Sequence, residues 1–234
     1  MEPIPELRKI RTGIPGLDKM LKGGLIEGRP YLISGGPGAG KSIFVMQFLM
    51  QSIRKGEEAL YITLEEPYDE IRQNMAQFGW DTRQVRILDV SPEAGTKEGS
   101  DMFSLSYLEE ELVQELRRHP HKRVGLDSTS TLRMLEDHPT GGRRRILSIM
   151  KILTEARCTS LIICETNDNS PSMEGFLARG VIKLYTTTTA GEKIRAIGIE
   201  KMRGTSFDEH IRPFTITDQG IVIAADEIAF ETFK

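Results

Sequence analysis

RPYLISGGPGAGKSIFVMQFLM, residues 29–50, joins an apolar run, a glycine-rich bend and a helical pattern end to end. RPYLISG reads as a strand, and from about Gly40 the stretch through SIFVMQFLMQSIRK reads as a helix. Between them SGGPGAGKS (34–42) fits G-x-x-x-x-G-K-S, with Gly35 first and Gly40, Lys41 and Ser42 at its close. The strand-to-helix setting raises this pattern above a chance match. Its glycines let backbone N–H groups curl around phosphate oxygens, and the helix N-terminus adds positive dipole. Lys41 is expected to reach the β- and γ-phosphates, and the Ser42 hydroxyl to coordinate magnesium. A glycine-rich turn that binds nothing is the plainer reading, and a complete, correctly placed motif argues against it.

Outward from the cradle, apolar runs alternate with helical patterns. EALYITLE is a strand, Tyr68–Phe78 a helix, VRILDV a strand and SLSYLEEELVQELRR a helix whose basic end suits its dipole. RVGLDS, RRRILSIMKILTEA and TSLIICET continue as strand, helix and strand. Strands separated by helices imply an α/β fold with a mostly parallel sheet covered on both faces. After about Val181 the pattern changes. VIKLYTTTTAGEKIRAIGIEKMRG reads as two strands around an AGEK turn, and RPFTITDQGIVI as a hairpin turning at DQG. An antiparallel extension toward the C-terminus is therefore expected. Residues 91–101 and 167–175 read as polar loops.

The chain has 234 residues, enough for one sizeable domain spanning 1–234. Charged residues at 28% and hydrophobic ones at 38% fit a globular protein and exclude a disordered one. A net charge of -3 gives no overall electrostatic case for nucleic acid or an acidic membrane. No run of about 18 apolar residues appears, and MEPIPELRKI lacks a signal-peptide core, so a cytoplasmic protein without a membrane partner is expected. Cys158 and Cys164 lie along one apolar run, too far apart to bridge on a strand, and neither belongs to a CxxC. Both are expected as reduced, buried thiols.

A phosphate cradle needs an acid on a neighbouring buried strand to hold the metal through water. Asp127, closing RVGLD, is placed for that role, although an acid ending a strand also serves as a turn residue or helix cap. Glu65 and Glu66 end LYITLEEP at what should be the same carboxyl edge, where ligands of open α/β sheets bind. One of them could orient a water in line with the γ-phosphate. Alternatively, both are solvated charges at the start of the helix after Pro67.

Together with their flanks, these residues resemble the KaiC-like branch of the RecA superfamily. RTGIPGLDKMLKGGLIEGRPYLISGGPGAGKS, then LEEP, FGWD, LDS, KMRGT and PFTITDQGI, follow in that family's order over about residues 10–224. The resemblance implies a ring hexamer with ATP and magnesium between subunits. By position it assigns nucleotide contacts to Gly35, Gly36, Pro37, Gly38, Ala39, Gly40, Lys41, Ser42 and Ile43, and the metal to Ser42 and Asp127. Glu65 and Glu66 match the paired catalytic glutamates, and Glu65 matches the single glutamate of related hexameric helicases. Lys201, Met202 and Arg203 match a segment that reaches the neighbour's γ-phosphate, making Lys201 and Arg203 cations supplied in trans. Thr205, Thr217 and Asp218 match further contacts from that neighbour. On a strand, Lys201 and Arg203 share a face, as a pair stabilising transition-state charge would; an edge strand guarded by cations has the same pattern. Two departures stand out. The clock protein's phosphorylated Ser-Thr pair falls near Gly175–Phe176, which cannot accept phosphate, and Phe207 replaces a nucleotide-contacting histidine.

An ATPase completed across a subunit interface, in a regulatory or signalling role, is the leading expectation. A slow, nucleotide-gated assembly module acting through a protein partner is the second. A DNA-handling ATPase is the third and weakest. Its channel loops would be 131–145, with Arg143, Arg144 and Arg145, and 167–179, and Glu136, Asp137 and Asp168 dilute the positive charge there.

Overall fold

The computed structural model of the chain describes residues 7–91, 105–134, 139–166 and 173–229. The elements run β1 (Lys9–Ile10), α1 (Leu17–Met20), β2 (Leu25–Ile26), β3 (Pro30–Gly35), α2 (Lys41–Ile53), β4 (Ala59–Thr63), α3 (Tyr68–Ala76) and β5 (Arg86–Asp89). They continue α4 (Leu105–Arg118), β6 (Arg123–Asp127), α5 (Thr129–Met134), α6 (Pro139–Glu155), β7 (Thr159–Glu165), α7 (Met173–Leu177), β8 (Gly180–Thr189), β9 (Glu192–Met202), β10 (Arg212–Thr217) and β11 (Gly220–Ile223). β1 and β2 form a small antiparallel ribbon. The main sheet has nine strands in the order β11-β10-β9-β8-β3-β7-β6-β4-β5. From β8 to β5 neighbours are parallel, and β9, β10 and β11 extend the sheet antiparallel, as the change of pattern after Val181 implies.

Strand alternation builds two apolar layers. Tyr31 and Ile33 of β3, Tyr61 of β4 and Leu161 of β7 enter one cluster with the buried face of α2. Leu32, Leu60, Leu126 and Ile162 enter the opposite cluster, closed by Leu108 and Leu112 of α4 and Ile146, Ile149 and Leu153 of α6. All six residues of β3 are buried, which explains why this strand reads as a continuous apolar run rather than an alternating one. At Gly125 a side-chain carbon would stand 2.4 Å from Val45 of α2, so the central helix lies this close to β6 because that position lacks one. Both cysteines are buried reduced thiols, and burial pushes the Cys158 thiol up to about 11.

Several boundaries differ from the sequence reading, among them the start of α6 at Pro139 and not Arg143. β4 stops at Thr63, so Glu65 and Glu66 lie in a bend and not on the strand. Leu64 N–H donates to the Asp127 carbonyl (2.7 Å) and the Thr63 hydroxyl to the Glu66 carbonyl (2.6 Å), which turns the chain across the sheet's carboxyl edge. Strict alternation of neighbouring side chains no longer applies there. α3 likewise ends at Ala76, short of Phe78. Of the loops expected at 91–101 and 167–175, residues 92–101 and 167–172 lie outside the described residues, as do Glu136, Asp137 and Asp168, while 173–175 open α7 instead of continuing a loop. No helix among the described residues is long and apolar enough to cross a membrane.

Candidate active site

Gly35 closes β3 and Lys41 opens α2, so the cradle sits at the carboxyl edge of the parallel sheet. Gly40, which caps α2, holds φ 96° and ψ 22°, a left-handed geometry that a side chain would strain. The Lys41 side chain is 7% exposed; its Nζ donates to the Gly36 carbonyl (2.9 Å) and pairs with Glu165 at the end of β7 (3.0 Å). Ser42 Oγ donates to Asp127 Oδ2 at 2.6 Å, and the Tyr61 hydroxyl donates to the same oxygen at 2.7 Å. Burial pushes the Asp127 carboxyl up to about 6, although both hydrogen bonds pull it down; the charges of Glu65 and Glu66 add to the rise.

Glu65 accepts from the Ser128 hydroxyl and from the Thr131 hydroxyl (2.6 Å), both carried on or beside α5. Glu66 accepts from the Asn74 side chain of α3 at 3.2 Å. The two carboxylates are exposed and held by different elements, so they are not equivalent. A cleft of about 360 Å³ opens between them and the cradle, with Asp127 and Glu165 also in its wall. Its volume is within the range of small-ligand sites, about 300–1,000 Å³.

The chemistry of this oxygen set fits magnesium. A hydroxyl and a carboxylate are hard ligands, and magnesium keeps waters and takes substrate phosphate oxygens as its remaining partners. Among the described residues no three His, Cys, Asp or Glu side chains form a metal cage, so phosphate and water would have to complete the shell. Ser42 would ligate directly and Asp127 through water.

The remaining expected residues divide between two edges of the sheet. Thr217 and Asp218 lie at the carboxyl edge, beside the cradle of their own chain: a side-chain carbon at Gly40 would stand 3.0 Å from Ile216. The resemblance assigned them to a neighbour's nucleotide; within this chain the preceding residue, Ile216, packs against the loop. Ile43 is partly buried against the core below it. Lys201 is the penultimate residue of β9, at the opposite, amino edge, and Arg203 lies just beyond the strand. A bulge at Glu200 keeps Lys201 opposite Val181 and Met202 opposite Gly180. Lys201 Nζ donates to the carbonyls of Gly175 (2.7 Å), Phe176 (3.2 Å) and Ala178 (2.9 Å), so it caps the end of α7. The Met202 side chain is in the core, and the Thr205 hydroxyl accepts from Lys9 at 2.7 Å. Phe207 packs against the core.

Three polar groups at the site had no sequence signal. Glu165 reads as the polar end of an apolar strand. Asn74 is one of several polar residues on a helix face. Lys193 at the β8–β9 turn lies 3.4 Å from the Gly38 carbonyl, although it is far away in sequence. Of the basic run, Arg145 is engaged with Glu109 of α4 at 2.9 Å, while Arg143 and Arg144 are exposed.

Comparison with known proteins agrees with this geometry. The family model described as "ATPase: KaiC" matches residues 10–228. A UPF0273 protein of Pyrococcus furiosus is 36% identical over 95% of this chain and 96% of its own length. The circadian clock oscillator protein KaiC of Parathermosynechococcus lividus is 35% identical over 94% of this chain, a match that occupies 43% of that longer protein. A crystal structure of a KaiC-like protein from Pyrococcus horikoshii superposes with a TM-score of 0.83 at 30% identity, covering 93% of this chain and 99% of that one. With its cradle, its acidic edge and its nine-stranded sheet, the chain belongs to the KaiC family of ATPases.

Proposed function

We propose that the protein hydrolyses ATP with magnesium at sites shared between neighbouring subunits of a ring, in a regulatory or signalling role. One observation carries the shared site. Glu65 and the cradle stand at the carboxyl edge of the sheet, and Arg203 stands at the amino edge. β3 has six residues, so the edges are about 17 Å apart, and one chain cannot bring its own Arg203 to its own phosphate loop.

In the proposed cycle the incoming γ-phosphate takes Lys41 from Glu165, and the backbone of Gly36–Gly40 receives the β-phosphate. Ser42 and Asp127 would hold a magnesium ion, which neutralises charge developing on the phosphoryl oxygens. Glu65, kept in place by Ser128 and Thr131, orients the attacking water and accepts its proton. Glu66, tied to Asn74, assists from the other side of the bend. Arg203 of the adjoining copy stabilises charge on the transferred phosphoryl group.

Lys41→Ala should abolish ATP binding, and unchanged binding would overturn the cradle. Glu65→Gln should preserve ATP binding while cutting turnover about 10²-fold, the loss expected for a positioned base. Persistent hydrolysis would assign the water to another group. Slow turnover coupled to assembly is the second reading. It is favoured by the Lys41–Glu165 pair, which must part before Lys41 can reach a phosphate.

A further inference from the structure

At the amino edge of the sheet lies a second, larger pocket of about 730 Å³, away from the cradle. Arg8, Arg29, Lys122, Arg157, Arg179 and Arg203 line it, against a single carboxylate, Glu27. Among the described residues only Arg8 of this set has an ion-pair partner, Glu27 at 3.3 Å. The sharpest feature is the pairing of two arginines. Arg203 N–H donates to the Arg179 carbonyl at 2.8 Å, just beyond the Gly180–Met202 pair that ends the β8–β9 ladder. This bond ties the two arginines together at one corner of the pocket, where like charges repel. Both arginines are exposed. Arg29 fixes this corner by donating to the Arg203 carbonyl at 2.9 Å. Lys201 feels the crowding as well: burial first, then the charges of Arg203 and Arg179, lower its pKa.

We infer that this pocket receives the phosphate chain of a nucleotide held by a second copy of the protein, and that Arg179 is a second trans-acting cation paired with Arg203. The inference rests on the shared site proposed above and extends it to a residue outside the KMRGT segment. Charge complementarity identifies the occupant. The opposite edge of the same chain presents Glu65, Glu66, Asp127 and Glu165, and with nucleotide bound it presents a triphosphate too. Six cations facing that edge make a head-to-tail contact, and such contacts close into a ring when the rotation permits. The unfavourable arginine pair is retained because an anion from the next copy settles between the two guanidinium groups. Arg29 acts as a positioning residue for Arg203 through its bond to the Arg203 backbone.

Full-length Arg179→Ala and Arg203→Ala, each alone and mixed with an equal amount of Lys41→Ala, provide the test. Arg179→Ala should lower ATP turnover about 10-fold or more, less than loss of a sole finger because Arg203 remains. ATP binding in the Arg179→Ala protein should be retained. Random mixing with Lys41→Ala should restore about a quarter of wild-type turnover, because that fraction of head-to-tail interfaces joins two intact halves. The melting temperature without nucleotide should stay level or rise, since a like-charge contact is removed. Full turnover in Arg179→Ala, with Arg203→Ala impaired and complemented, would overturn the inference and leave the shared site standing. Failure of Arg203→Ala itself to lose turnover would remove the shared site. A fall in melting temperature without complementation would make Arg179 structural. Tripolyphosphate binding to Lys41→Ala that Arg179→Ala abolishes, without complementation, would assign the pocket to a free anion.

Discussion

Asp127 concentrates the chemistry of the site in one side chain. It is half-buried beneath two hydroxyl donors, near the charges of Glu65 and Glu66, and its carboxyl is pushed up to about 6 from the ordinary 3.8. A carboxylate with a raised folded-state pKa costs stability while ionised, and the cost fades as pH falls from about 6 toward 4. Asp127→Asn should therefore be more stable than the native protein at pH 8 without metal or nucleotide, by about 1 kcal/mol, or roughly 2–4 °C. At pH 4 the two should melt together. A difference unchanged between pH 8 and 4 would show that ionisation of Asp127 is not its source, and the same variant should lose magnesium-dependent turnover. Asp127 stood out in the sequence because it closes an apolar strand and a complete cradle calls for such an acid, although a turn residue or helix cap reads the same way when taken alone. Glu165 did not: it too closes a buried strand, but nothing local reveals that Lys41 reaches it. Arg123 was hidden as well. Read as the edge of a strand, it is 1% exposed, donates to Ser52 (2.7 Å), Glu57 (3.1 Å) and the Arg11 carbonyl (3.0 Å), and lies over Phe48. Long-range polar partners leave no periodic trace.

At the scale of elements, periodicity and turn chemistry located the strands of the main sheet and the longer helices, because burial on two faces forces long apolar runs and Gly or Pro punctuates them, while the short β1, α1, β2, α5 and α7 are too brief to show a period. Strand ends were harder to place. LYITLEEP looks continuous, yet the bend after Thr63 is imposed by the Asp127 carbonyl on another strand. The β10–β11 hairpin depends on a similar distant tie. Gln47 of α2, 3% exposed, donates to the Ile221 carbonyl (3.1 Å) and accepts from the Ile221 N–H (2.7 Å). Gln47→Leu leaves both backbone groups buried without partners, at a cost of about 2–3 kcal/mol. The melting temperature should fall by about 4–10 °C. Nucleotide affinity should fall with it, because the same hairpin carries Ile216 against Gly40 and Thr217 beside the cradle. Weaker stability with unchanged affinity would mean that the hairpin does not support the phosphate loop. An unchanged melting temperature would mean that Gln47 does not anchor it.

The whole molecule is polarised across its sheet, with carboxylates and the cradle at one edge and the cationic pocket at the other. Neither composition nor a net charge of -3 reveals this, because sequence charge does not say which ends of which strands share an edge. The polarity has a consequence for assembly. Without nucleotide, the carboxyl edge offers only a few side-chain charges to the next copy's arginines, and these are hydrated and screened over about 8–10 Å at ordinary ionic strength. Bound nucleotide adds a cluster of negative oxygens at the point where Arg179 and Arg203 would arrive. Assembly should therefore depend on nucleotide and be sensitive to salt. In sedimentation velocity, Glu65→Gln with ATP and magnesium should form a larger species than the same protein without nucleotide, since bound ATP persists when turnover is slow. Raising salt from about 0.1 to 0.5 M shortens the screening length to roughly 4 Å and should shift this species toward smaller mass. Arg179→Ala should make that shift at lower salt. A single mass under all these conditions would mean that apolar contacts elsewhere hold the subunits together, and that the two edges meet without controlling assembly. Adding DNA to the same cells tests the remaining alternative: co-sedimentation that Arg143 and Arg144 substitutions remove would place nucleic acid at the start of α6, away from both edges.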